Sequence, residues 1–246
     1  MMASRLEYRF RYLLHVLIYV LGFWPFWEPW LGLTTKSTWL NLSAAMARAG
    51  WLSFEAATSV LLVVAIVFAA LGAGMRVWGA AYIGSGVVAS PAMQGQVLLA
   101  DGPYRRSRNP LYLGTLLHTV GVSLLMAPAG AVFAIAAIWI LQVRLAMAEE
   151  PFLASRFGEA YRAYEARVPR FLPSPKPQVP AGGQRPHWLQ AALGESYLIG
   201  VVITLAGFGW DFNALPLMKG ILISLGVSLV LRAMLPRVTP QEIPAI

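Results

Sequence analysis

The sequence predicts an all-α polytopic membrane protein, and three observations carry that prediction. Hydrophobic residues make up 58% of the chain and charged residues only 12%, whereas ordinary globular domains carry about 25% charged residues. The mean hydropathy is +0.61. The apolar residues also fall in runs of roughly the 20 residues that cross ~30 Å of hydrocarbon as a helix, not in the short period-two segments of a membrane barrel.

About six spans are expected. The first, about Tyr12 to Leu33, is too long for a signal-peptide core and lacks an Ala-x-Ala-like site after it, so it reads as an uncleaved span. Trp24, Trp27 and Trp30 stand near its far end, where aromatic rings favour the interface. A polar loop with Lys36, Asn41 and Arg48 leads to span two, about Phe54 to Trp78. Spans three (about Leu111 to Met126) and four (about Ala131 to Leu145) make a short hairpin across Ala127-Pro128-Ala129-Gly130. Spans five and six, about Tyr197 to Trp210 and Leu217 to Leu235, close the chain.

Four units follow from this reading: N-terminal transmembrane helices over 1–90, a core over 91–175, a linker over 176–195 and a C-terminal transmembrane hairpin over 196–246. The linker rests on the prolines and glycines of Ser174 to Pro186. Pro151 suits the start of a new helix and disfavours helix at the residue before it, which predicts that Glu149-Glu150 lies at a helix junction. From Pro151 to Val168 the positions Leu153, Phe157, Tyr161, Tyr164 and Val168 recur at helical spacing, as in an interfacial amphipathic helix.

The net charge of +8 takes its meaning from placement. With six spans, sixteen of the nineteen Lys and Arg fall on the side of the two termini, leaving Lys36, Arg48 and Lys219 opposite. By the positive-inside rule both termini and the core stretch are cytoplasmic, and the basicity is topological, with no nucleic-acid partner implied. The absence of cysteine removes disulfides, thiolate ligands and a cysteine nucleophile. His15, His118 and His187 are too scattered for a metal site. His118, inside span three, reads as a neutral imidazole bonded to a neighbouring helix, and Gly72-x-Gly74 and Gly84-x-Gly86 read as close helix packing.

Polar residues concentrate between Gln96 and Pro173. There Gly102-Pro103-Tyr104, Arg108-Asn109-Pro110-Leu111-Tyr112-Leu113-Gly114, Glu149-Glu150, Phe157-Gly158-Glu159-x-Tyr161-x-x-Tyr164 and Val168-Pro169-Arg170 follow one another. In this order they resemble the isoprenylcysteine carboxyl methyltransferase family and its phospholipid N-methyltransferase relatives, over about Arg76 to Pro173.

The resemblance implies an integral membrane enzyme that takes S-adenosylmethionine (SAM) at its cytoplasmic face and methylates a lipophilic acceptor, an isoprenylcysteine α-carboxylate or a phospholipid amine. Carried over residue by residue, it assigns Gln96, Val97, Leu98, Leu99, Tyr104, Asn109, Pro110, Leu111, Tyr112 and Glu149 to the cofactor pocket. Family members commonly have histidine where Asn109 stands; asparagine keeps a donor and an acceptor but does not titrate near neutral pH. The resemblance also places an arginine shortly before the acidic pair as an acceptor contact, and Arg144 is the nearest.

The residues themselves fit that chemistry. Methyl transfer from a sulfonium needs alignment and exclusion of water more than covalent help. Glu149 and Glu150 supply negative charge for a cationic cofactor, and Tyr104, Tyr112, Tyr161 and Tyr164 supply π faces that tolerate a cation. Backbone amides near Pro110 suit a carboxylate. A carboxylate acceptor wants a cation such as Arg144 or Arg108, whereas an amine acceptor wants an acid such as Glu150. Five residues apart, Arg144 and Glu149 point about 140° away from each other on one helix. The alternatives are a membrane NADPH-dependent reductase of the sterol reductase type and a non-enzymatic membrane scaffold.

Overall fold

A computed structural model describes residues 2–24, 33–84, 88 and 100–234. Among these the regular structure is helical: α1 (Arg5–Arg9), α2 (Arg11–Phe23), α3 (Thr38–Arg48), α4 (Phe54–Ile83), α5 (Pro110–Ser123), α6 (Pro128–Phe157), α7 (Glu159–Arg167), α8 (Trp188–Gly194), α9 (Ser196–Asp211) and α10 (Ala214–Met234), with a 3-10 turn at Gly102–Arg105. The expected cofactor segment Gln96–Leu99, and Trp27 and Trp30 of span one, lie outside the described residues.

Among the described residues three helices are long and apolar enough to cross a membrane: α4, α6 and α10. The pair α8 and α9, bent by 70° at Glu195, makes a fourth if taken as one broken span. The described part of span one is the 13-residue α2, and span three is the 14-residue α5, or ~21 Å of helix against ~30 Å of hydrocarbon. The chain is thus a multi-pass helical protein whose shorter helices lean on the long ones.

Local chemistry sets the helix limits. Ser53 caps α4 by accepting from the Ala56 N–H, and Gly84 closes it at φ +87°. Pro110 and Pro128 open α5 and α6 at the first position, where a missing N–H is harmless. Ser4 and Glu7 cap α1 reciprocally, the Ser4 hydroxyl accepting from the Glu7 N–H and the Glu7 carboxylate from the Ser4 N–H.

Two antiparallel pairings build the interior. Helix α5 lies along α4 with almost no side chain between them, so that a Cβ on Gly121 would stand 2.5 Å from the Ala65 carbonyl and one on Gly114 2.7 Å from Arg76 Cγ. Gly72 belongs to the same seam, whereas Gly74 faces open space, so the packing reading holds for one of those two glycines. Helices α1 and α2 run along α6 in a register that pairs Gly22 with Gly130, His15 with Gln142 and Tyr8 with Glu149. The opposite end is closed by α3, where Thr38 and Trp39 donate backbone N–H bonds to Met126 and Leu124. Trp39 stacks on Phe212 at 5.6 Å and bonds Thr58 O.

Several expectations are corrected. The polar loop after span one contains α3. The acidic pair is not at a helix junction, because α6 runs unbroken from Pro128 through Pro151 to Phe157. Pro151 removes one ladder hydrogen bond, but tertiary bonds to Glu149 and Glu150, immediately before it, hold the helical course. The break comes at Gly158, whose φ of +53° suits glycine. The single interfacial helix over Pro151 to Val168 is therefore divided, its first turns ending α6 and the rest forming α7, with Tyr161 and Tyr164 buried.

Candidate functional site

The site lies where α6 emerges from the apolar bundle. Glu149 stands about 21 residues beyond Pro128, ~32 Å along the helix and so near the edge of a hydrocarbon layer. Its carboxylate accepts the Tyr8 hydroxyl from α1 at 2.5 Å, and Tyr112 on α5 stands beside it, close enough to stabilise its charge. Tyr8 is 7% exposed. Burial first, and then the Glu149 charge, raise its pKa well above the usual tyrosine value, so it remains a donor. The carboxylate has roughly four acceptor directions, of which the Tyr8 bond takes one.

Tyr104, on the 3-10 turn, is buried and its hydroxyl has no hydrogen-bond partner. That hydroxyl lies 3.4 Å from where a Cβ on Gly79 would stand, within electrostatic reach of Glu149 and Arg76. Desolvation raises its pKa well above the ordinary value, so it is a protonated donor awaiting an acceptor. An orphaned buried hydroxyl costs about 1–3 kcal/mol.

Glu150, one residue on, faces elsewhere and is more committed. Arg170 donates to it from Nε and from Nη2, the latter at 2.7 Å, and Arg108 Nη1 lies 3.2 Å away. Arg108 also bonds Glu165 at 2.6 Å. Asn109 joins this group, its amide nitrogen 3.1 Å from Arg170 O and 3.5 Å from Glu150 Oε1. Strands of chain around these side chains pair through Arg108 N to Pro169 O and Asn109 N to Arg170 O, while Ser107 Oγ donates to Phe171 O. The Val168-Pro169-Arg170 motif is thus stitched to the Arg108-Asn109-Pro110 motif. Tyr161 packs beneath, its pKa pushed up to about 12 by burial and then by the Glu150 charge, and Tyr164 donates to Tyr104 O.

Arg144 is held by Glu7 in a two-pronged contact, at 3.0 and 2.8 Å. Neighbouring residues of α1 therefore meet both members of the pair that diverges on α6. The guanidinium hydrogen bonds, followed by the Ser4 backbone, lower the Glu7 pKa to about 2.

The sequence reading passed over two parts of this end of the molecule. One is α1 itself, although Ser4-x-x-Glu7 is a capping-box signature. The other is Arg76, which donates to both oxygens of Glu195 at 2.8 Å and to Thr115 Oγ1 at 2.8 Å. An arginine within span two was its signal. The stretch read as a linker also has a fixed course: Asp101 accepts from the N–H groups of Gly182 and Gln184, and Arg105 Nε donates to Val179 O. His118 does bond a neighbouring helix, at Ala69 O.

Fold and site together define a multi-pass helical membrane protein with a polar, tyrosine-rich cluster at one end of its long helices. Residues 59–160 match the family model described as phospholipid methyltransferase. The chain is also similar to the protein-S-isoprenylcysteine O-methyltransferase of Schizosaccharomyces pombe, with 29% identity over 90 residues, an alignment that spans 36% of this chain and 38% of that protein. No solved structure matches. The matched part of the chain is thus similar to phospholipid and isoprenylcysteine methyltransferases, in keeping with its motifs.

Proposed function

We propose that the protein is a SAM-dependent methyltransferase acting on a lipophilic acceptor that enters from the bilayer, with the cofactor held between α1, α5, α6 and the 3-10 turn. The observation that carries this reading is the pairing of a carboxylate with acceptor directions to spare, Glu149, and a buried hydroxyl with no partner, Tyr104, at one site. That donor set suits a ligand bearing both a cation and hydrogen-bond acceptors. When bound, SAM supplies an electrophilic methyl group on a sulfonium.

In this reading Glu149 receives the cationic part of the cofactor, and Tyr104 donates to one of its acceptors. The faces of Tyr104 and Tyr112 exclude water while tolerating positive charge. The first N–H groups of α5, at Leu111 and Tyr112, lack helical partners because Pro110 opens the helix, and they point toward an anionic group. Asn109 shapes the mouth through its bonds to Arg170 and Glu150. Gln96, Val97, Leu98 and Leu99 are assigned to the same pocket by the family resemblance alone.

The acceptor side is assigned to Arg144 and Glu150. A carboxylate acceptor takes Arg144 by exchange with Glu7, whereas an amine acceptor uses Glu150 only by loosening its contact with Arg108 or Arg170. Both termini are placed on the cytoplasmic side by the distribution of Lys and Arg.

The test is calorimetry on the detergent-purified full chain with SAM, its demethylated product and NADPH, beside Glu149→Gln. Saturable SAM binding that weakens at least tenfold in the variant is expected. NADPH binding without SAM binding would favour the reductase reading, and binding of none of the three by folded protein would favour the scaffold.

A further inference from the structure

The family-matched segment begins at residue 59, yet a side chain that touches Glu149 comes from residue 8. We propose that Tyr8 is a positioning residue for Glu149 in cofactor binding, which makes the N-terminal segment a wall of the site. This inference rests on the SAM-binding reading above and adds to it a residue outside the matched segment.

The geometry gives Tyr8 one task. Its hydroxyl meets Glu149 Oε1 at 2.5 Å, while Tyr112 of a different helix stands beside the same carboxylate. The Tyr8 ring is itself fixed. The Arg11 guanidinium lies 4.5 Å from its centroid and also donates to Tyr8 O at 3.2 Å. Helix α1 is pinned independently by the Glu7 contact with Arg144 and by Ala3 N donating to Arg144 O at 3.0 Å. A surface helix needing only to be anchored has those two attachments already; the Tyr8 bond adds a direction to the carboxylate.

A carboxylate on a helix turns freely about its terminal torsion unless donors hold it. With Tyr8 bound to one oxygen, the orientation of the carboxylate is fixed before a ligand arrives. Without Tyr8 that donor is lost, and part of the cost of aiming the group falls on ligand binding. A hydrogen bond to a charged group corresponds to about tenfold or more in affinity.

The test compares SAM dissociation constants of the full-length wild type, Tyr8→Phe, Glu7→Gln, Glu149→Gln and the Tyr8→Phe/Glu149→Gln double variant, each with its thermal unfolding midpoint. Phenylalanine keeps the ring under Arg11, so Tyr8→Phe retains the fold. The expected result is about tenfold weaker SAM binding in Tyr8→Phe, little change in Glu7→Gln, and almost no further loss when Tyr8→Phe is added to Glu149→Gln. Equal losses in Tyr8→Phe and Glu7→Gln, or full additivity with Glu149→Gln, would reduce Tyr8 to an anchor for α1 and overturn the inference. Unchanged affinity in Tyr8→Phe with a wild type that binds SAM would also overturn it. A wild type that binds no SAM removes the reading on which it rests.

Discussion

Arg76 and Glu195, 119 positions apart in the chain, face each other through two N···O contacts of 2.8 Å, with Glu195 side-chain exposure of only 3%. The glutamate sits at the 70° bend between α8 and α9, and the arginine rises from α4 to reach Thr115 on α5 as well. One ion pair therefore ties the C-terminal hairpin to the two helices that carry the core.

Breaking it from one side should be costly. Glu195→Gln leaves a buried guanidinium without its counter-charge and is expected to destabilise by about 3–5 kcal/mol. Replacing both residues by leucine should recover most of that loss, because no buried charge is then left alone. Denaturant unfolding in detergent, followed by tryptophan fluorescence, measures both.

The cluster around Glu150 should respond unequally. Glu150→Gln takes the buried counter-charge from Arg108, whose side chain is 9% exposed, and leaves it only the more exposed Glu165, so an expected loss of about 2–3 kcal/mol follows. Arg170→Gln removes a partner that is 41% exposed and should cost nearer 1 kcal/mol. Similar losses in the two variants would mean that the cluster is solvated more evenly than these exposures say.

The Glu7 contact predicts a pH dependence. Its folded pKa of about 2 lies below the ordinary 4.5, so folding is favoured by the ionised form. That contribution is fully present above about pH 4.5 and is lost as pH falls through about 2. Because the pair is largely exposed, the effect is small. The difference in thermal midpoint between wild type and Glu7→Gln should be measurable at pH 7 and shrink steadily below pH 4.

The seam between α4 and α5 should reject bulk. Gly121→Val places side-chain atoms against the Ala65 backbone, and overpacking of this kind costs about 1–3 kcal/mol. Gly74→Ala, inside α4 and meeting nothing within 4 Å, should not lower the unfolding midpoint and by helix propensity should raise it slightly, so it serves as the control.

How much of this was legible depended on the range of the interactions. The helical class, the apolar stretches within α4, α6 and α10, and the packing role of Gly72 follow from composition and local spacing, and so did His118 as a helix-to-helix bond. The family motifs were legible as an ordered set, before any geometry. The continuity of α6 was not. A local rule at Pro151 predicted a break, and bonds from Tyr8, Arg108 and Arg170, all distant in sequence, outweighed it. The partners of Arg76 and Arg144 were hidden for the same reason, since a sequence shows charges but not which ones meet.

The unbroken course of α6 through Pro151 makes that helix a ruler. Pro128 marks the zero at the α3 end, and Glu149 is read off about 32 Å away at 1.5 Å per residue, close to the thickness of the hydrocarbon layer itself. An insertion of one residue between them would swing the carboxylate by about 100° and lift it 1.5 Å, away from Tyr8 and Tyr112 alike. The depth of the carboxylate is thereby written into a count of residues; under the proposed activity, bilayers of different thickness should present the same acceptor to this protein unequally.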